Sequence, residues 1–210
     1  MTTPYVKLSQ EEIENKVQKI KNYISEQGVE DVCFMSPKEL VFDLRVRMKC
    51  RLACKVYNTN LRCPPNAPPL EECKEFLHTY SRGIIYRKRA PASDFAGEEA
   101  KKDFKWTKNS KFAQELGAKL EAMAFYEGFY LAFSFGAGRC RWCVDIGGKC
   151  PGLADGVCKH TYESRPSLEG MGVDLVATVN KLNWDFSIVG KSSEVEDIEI
   201  AGYIGFLALY

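Results

Sequence analysis

The tightest constraint on how this chain can fold is the placing of its cysteines, because seven of the nine fall into two groups, Cys50-x3-Cys54-x8-Cys63 and Cys140-x2-Cys143-x6-Cys150-x7-Cys158. Between Arg139 and Arg165 the chain is rich in glycine and cysteine and poor in apolar residues, so it has little from which to build a core. A stretch of that kind is longer than an unsupported loop in a compact domain normally runs. A bound metal would order it. Thiolate is a soft ligand, and a tetrahedral set of sulfurs selects zinc or an iron-sulfur cluster over hard ions such as magnesium.

The alternative use of so many cysteines is a disulfide framework. An odd number of them in a chain whose first residues, Met1 to Lys21, are studded with Lys7, Glu11, Glu12, Glu14, Lys16 and Lys19 argues against it, since that segment lacks the apolar run of a secretory signal. The expectation is a cytoplasmic protein with reduced thiols. The longest apolar stretch, Ile200 to Tyr210, is too short for a membrane-spanning helix and reads as a final buried strand, so no membrane partner is expected. A net charge of +1 from 29 basic and 28 acidic residues gives no overall pull toward nucleic acid. Locally, Arg45, Arg47, Lys49, Arg51 and Lys55 bracket the first thiol group, either as a solvated basic face or as a field for an anionic partner.

The length of 210 residues and a 45% hydrophobic content suit one domain, taken as 1–210 with cysteine loops at 50–69 and 136–165. Ser9 followed by Glu12 is a capping-box pattern, and Ile13, Val17, Ile20 and Ile24 then recur at helical spacing up to Gly28. Strands are expected at 31–35, 41–48, 83–86 and 129–135, so that a strand end delivers the chain to each cysteine group. Helices are expected on Leu70, Cys73 and Leu77, on Phe112, Leu116, Leu120 and Met123, and after Pro166 with Leu175, Val179 and Leu182 buried. Residues 87–108 read as a polar surface excursion, and 64–69 as a stiff proline loop. The fold class is α+β, or an α/β sandwich, with one central mixed sheet, flanking helices and two cysteine-rich metal-binding loops.

The second thiol group carries the stronger signal, because its Cys-x-x-Cys pair can share one metal and Cys150 and Cys158 complete a set of four. Gly147, Gly148 and the other glycines of this loop supply the backbone freedom to wrap a centre. Cys63-Pro64 and Cys150-Pro151 place proline after a cysteine, as ferredoxin ligand runs do, which favours a [4Fe-4S] cluster over a zinc staple. A thiol-disulfide pair at Cys140 and Cys143 is disfavoured by the two further cysteines. The first group offers three thiolates, which can hold a cubane with one iron open to a ligand. Its spacing begins like that of radical S-adenosylmethionine enzymes, but Tyr57 stands where their third cysteine would be and excludes that class. Cys33 and Cys73 are candidates for a fourth ligand to the first group but read rather as buried small hydrophobes, and His160, which could replace Cys150 as a ligand, reads rather as a surface group or one that supports a ligand.

The string Cys158-Lys159-His160 followed by Arg165-Pro166-Ser167-Leu168-Glu169-Gly170-Met171-Gly172-Val173-Asp174, together with Cys50-x3-Cys54-x2-Tyr57-x5-Cys63-Pro64-Pro65, resembles domain-of-unknown-function family 2284 from Cys33 to the terminal strand. That family is described as predicted metal-binding and looks like one of anaerobic archaea and bacteria. The resemblance implies Cys50, Cys54, Cys63, Cys140, Cys143, Cys150 and Cys158 as ligands, and leaves Arg165, Ser167 and Glu169 as motif residues of unassigned role. The expected function is an iron-sulfur protein with a redox or accessory role and one or two clusters, working with a redox protein partner or a small anionic substrate. An enzyme with an open iron at the three-cysteine site and a zinc-stapled binding module are the alternatives.

Overall fold

Helix α1 (Gln10–Glu26) starts on the expected capping box, with the Glu12 amide donating to Ser9 Oγ at 3.3 Å and the Ser9 amide donating to the Glu12 carboxylate at 2.8 Å. It buries Val17, Ile20 and Ile24, three positions of one helical stripe. The computed structural model describes residues 7–102, 105–143, 149–190 and 192–210. Strands β1 (Asp31–Phe34), β2 (Gly83–Arg89), β3 (Phe133–Phe135) and β4 (Gly202–Ala208) form one sheet in the order β1-β2-β4-β3, every pair antiparallel.

The expected mixed sheet is therefore corrected to an antiparallel one, the α/β sandwich falls with it, and α+β stands. The reason lies in one insertion. β2 and β3 run in the same direction and are joined through α4 (Gly97–Lys102) and α5 (Lys105–Tyr126), as in a parallel unit, but β4 lies between them and opposes both. This is a split β-α-β arrangement, in which the last strand pairs antiparallel with both β2 and β3, while β1 pairs antiparallel with β2 on its own account.

Both faces of the sheet are covered, which is why its two central strands read as near-continuous apolar runs. Ile84 and Tyr86 of β2 and Leu207 of β4 join α1 and α5 side chains such as Ile20, Leu116 and Leu120 on one face. Ile85, Ile204 and Phe206 face the other way, into a core with Leu77, Leu168, Val173 and Val179. That second core uses α3 (Leu70–His78) and α6 (Leu175–Asn180), the latter capped by Asp174 accepting from the Ala177 amide. At the centre Tyr86 pairs across the ladder with Gly205, where a Cβ would overlap the tyrosine ring. Glycine in mid-strand here serves a close approach.

Other expectations shift in detail. Residues 87–108 are not a mere surface excursion. β2 continues to Arg89, and the buried Arg87 donates to Asp31 Oδ2 at 2.8 Å and lies over the Trp184 ring. Pro166 precedes α6 by a run of turns and does not begin it, although Leu175, Val179 and Leu182 do pack on the core. Among the described residues no helix is long and apolar enough to cross a membrane.

Candidate metal centre

The expected strand at 41–48 is a helix, α2 (Leu44–Ala53). Phe42, Leu44, Val46 and Met48 alternate as a strand would, but Asp43 accepts from the Arg45 amide at 2.7 Å and so caps a helix. Phe42 keeps one isolated bridge to Val173. Cys50 therefore sits in the last turns of a helix, Cys54 is its C-terminal cap, and the first group does not leave a strand end. No residue of α2 is buried, and Leu44, Met48 and Leu52 are exposed along it.

Beyond Cys54 the chain folds tightly onto itself and brings Cys63 back. The Asn58 amide, at a left-handed φ of 57°, donates to Pro64 O at 3.1 Å, and the Ala67 amide donates to Cys63 O at 3.1 Å. Asn66 ties the loop across its middle, donating through Nδ2 to Asn60 O at 3.1 Å. Asn60 is only 2% exposed, accepts from the Arg62 amide at 2.9 Å, and has no conventional partner for its Nδ2.

The second group does leave a strand. From β3 the chain passes through Gly136, bridged to Ser167, and Gly138, at a φ of 65°, to the buried Cys140. Residues 144–148, with Gly147 and Gly148, lie outside the described residues. The two loops then meet. The Cys150 amide donates to Thr59 O at 2.7 Å, Gly152 packs on Leu61 with no space for a side chain, and Arg62 Nε donates to Ser164 Oγ at 3.2 Å. Ser164 Oγ is in turn 3.2 Å from Cys140 Sγ. One serine thus joins an arginine beside Cys63 to the first cysteine of the other group.

The electrostatics report the same convergence. Burial pushes the Cys63 thiol up, the Asn60 amide pulls it back toward thiolate, and Cys50, Cys54 and Cys140 push it further up. Burial likewise raises Cys143, with Cys150, Cys140 and Cys158 adding to it. Cys50 is raised by burial and then by Cys54, against the pull of Arg47, with Glu169 raising it further. Each thiol is thus within electrostatic reach of its group, and Cys140 is felt from both. Among the described residues no three cysteine, histidine or acidic side chains stand close enough to grip one ion as placed.

The donor set fits a soft metal centre on two observations. The charged groups that raise Cys63 and Cys143 are other thiols, and the buried Asn60 Nδ2, with no hydrogen-bond partner in the protein, lies beside Cys63, where a metal-bound sulfur would accept from it. Cys73 is fully buried, 3.3 Å from Pro68 O and 3.8 Å from Met171 Sδ, and Cys33 is half-buried on β1 against the same core. His160 stacks on Trp142 at 5.6 Å with its Nδ1 facing Glu163. Of the basic stretch, Arg45 pairs with Asp43 and Arg47 donates to Gly170 O at 2.8 Å, while Lys49, Arg51 and Lys55 are exposed. Asn60, Ser164 and Glu121, which holds Arg165, carry no spacing signal and were not expected.

An antiparallel sheet between two helical layers, with two thiol-bearing loops folded against each other, defines a small α+β protein. The chain belongs to the family of predicted metal-binding proteins designated DUF2284, whose model matches residues 33–206. Neither a curated protein nor a solved structure matched it.

Proposed function

We propose that this is an iron-sulfur protein that carries electrons, or serves a redox step in an accessory role, in the cytoplasm. Cys140, Cys143, Cys150 and Cys158 would hold one [4Fe-4S] cluster, and Cys50, Cys54 and Cys63 the other. The observation that carries this reading is the meeting of the two thiol groups, with Ser164 bridging Arg62 to Cys140 and with Cys140 raising the thiol of Cys63 as well as that of Cys143 in its own group. Iron and sulfide are favoured over zinc because proline follows Cys63 and Cys150 and because an amide and a hydroxyl, from Asn60 and Ser164, lie beside sulfurs. Such contacts to cluster sulfurs set reduction potential. Protein prepared anaerobically should contain iron and acid-labile sulfide in comparable amounts and show a reduced-cluster paramagnetic signal. A colourless protein holding zinc without sulfide would replace the cluster by a structural staple.

A redox partner would meet the first group over α2, whose exposed side chains mix Leu44, Met48 and Leu52 with Lys49 and Arg51. An apolar patch ringed by positive charge fits an acidic protein donor. Reversing Lys49 and Arg51 to glutamate should slow reduction by an acidic ferredoxin or flavodoxin about tenfold at low salt, with the difference fading as salt screens it. Equal rates for both proteins at low salt would move the docking face elsewhere.

A further inference from the structure

Where the first cysteine loop passes α3 and β3, the chain leaves a cleft of about 350 Å³. Ala67 of that loop, Phe76 of α3, Phe133 of β3 and the buried Pro166 and Met171 beyond the second loop line it. Phe76 and Phe133 meet edge to face with ring centroids 5.5 Å apart, and Met171 Sδ lies 3.8 Å from the Sγ of Cys73, which also lines the cleft. Aromatic edges and polarizable sulfurs make a wall suited to a flat apolar body. The volume stands at the small end for ligand pockets, which suits a ligand of one ring and a short chain.

Among the described residues Arg62 supplies the one positive charge of this lining. Its amide donates to Asn60 Oδ1 at 2.9 Å and its Nε to Ser164 Oγ at 3.2 Å, and Ser164 is itself fully buried, so the guanidinium is held in place at its inner edge. Nη1 and Nη2 meet no acceptor among the described residues, although the side chain is half-buried. A fixed, partly desolvated fork with two spare donors is the complement of a carboxylate, whose two oxygens can take Nη1 and Nη2 together. The one acid of the lining, Glu72, is exposed and so is largely solvated. A single guanidinium balances a single negative charge, whereas a phosphate carries close to two. We infer that this cleft binds a small monocarboxylate with a one-ring apolar body, its carboxylate on Arg62 and its ring against Phe76 and Phe133.

The cleft is complete without a metal, so the inference stands apart from the iron-sulfur reading, while Ser164, 3.2 Å from Cys140 Sγ, links Arg62 to the second thiol group. Ligand-observed NMR titration of the full-length, anaerobically prepared protein tests it with phenylacetate and phenylacetamide, which share a shape and differ in charge. Phenylacetate should bind the wild type at least about tenfold more tightly. In Arg62→Gln that preference should vanish while phenylacetamide binds as it does to the wild type, which shows in the same titration that the variant has folded. Glu72→Gln, a change at an exposed position, should tighten phenylacetate about twofold and leave phenylacetamide unaltered, and it keeps the test decisive if Arg62→Gln does not fold. Equal binding of the two probes by the wild type, a preference that survives Arg62→Gln, or no gain for phenylacetate in Glu72→Gln would overturn the assignment. Displacement of phenylacetate by an equal concentration of inorganic phosphate would overturn it in favour of a phosphate site.

Discussion

Removing the metal from anaerobically prepared protein should loosen the cysteine loops and lower overall stability by several kcal/mol, toward the roughly 10 kcal/mol that structural zinc supplies to small domains. The expectation follows from what the second loop lacks. Between Arg141 and Glu163 the described residues bury only Cys150 and Gly152, so apolar packing contributes almost nothing to their order. Hydrogen bonds through the Cys150 amide and Ser164 tie the loop to its neighbour, at about 1 kcal/mol each. Limited proteolysis after chelation should cut first within 149–163, while β2 and β4, buried on both faces, keep their hydrogen-exchange protection. A chelated protein that resists protease there and melts unchanged would remove the metal from the architecture.

Proton competition gives the same prediction a pH dependence. Burial raises Cys50, Cys63 and Cys143, so in the unloaded protein these sulfurs keep their protons at neutral pH. A metal binds only the thiolates, so loading expels protons, and affinity falls as pH falls. The slope approaches about tenfold per pH unit for each proton displaced. Metal titrations at a series of pH values check it, and a flat profile would mean that the thiols are not the ligands.

How far the sequence carried depended on whether a signal was local. Helix α1 was legible because Ser9, Glu12 and the apolar stripe lie within one segment. β2 and β4 were legible because burial on both faces leaves an apolar run. The strand expected at 41–48 failed for an equally local reason: Asp43 caps a helix that the alternation of Phe42, Leu44, Val46 and Met48 does not announce, and that helix buries nothing to betray its period. The antiparallel pairing could not be read, since it depends on a strand from 202–208 inserting between β2 and β3. The cysteines declared themselves by spacing. Asn60, Ser164 and Glu121 could not, because what distinguishes them is burial beside a sulfur or a guanidinium that lies far along the chain.

Replacing Glu121 with alanine should destabilise the protein by about 3 kcal/mol, a large share of the stability of an ordinary domain. Glu121 projects from α5 and accepts from Arg165 Nε at 2.9 Å and Nη2 at 2.8 Å, and also from the Ser134 amide of β3 at 2.9 Å. The pair is largely removed from water, with 11% of the arginine side chain and 22% of the glutamate side chain exposed. Arg165 uses its remaining Nη1 on the carbonyls of Thr161 and Ser164. Alanine would strand a buried guanidinium and orphan the Ser134 amide together, which is why the loss exceeds that of a surface ion pair. A double variant, Glu121→Leu with Arg165→Met, should recover part of the loss, and a mutant cycle in denaturant isolates the coupling. Because Arg165 fixes the backbone of Ser164, and Ser164 touches Cys140, Glu121→Ala should also weaken metal retention about 10- to 100-fold. A variant that lost stability but kept its metal as tightly as the wild type would confine Glu121 to the scaffold and detach the Arg165 motif from the cysteine site.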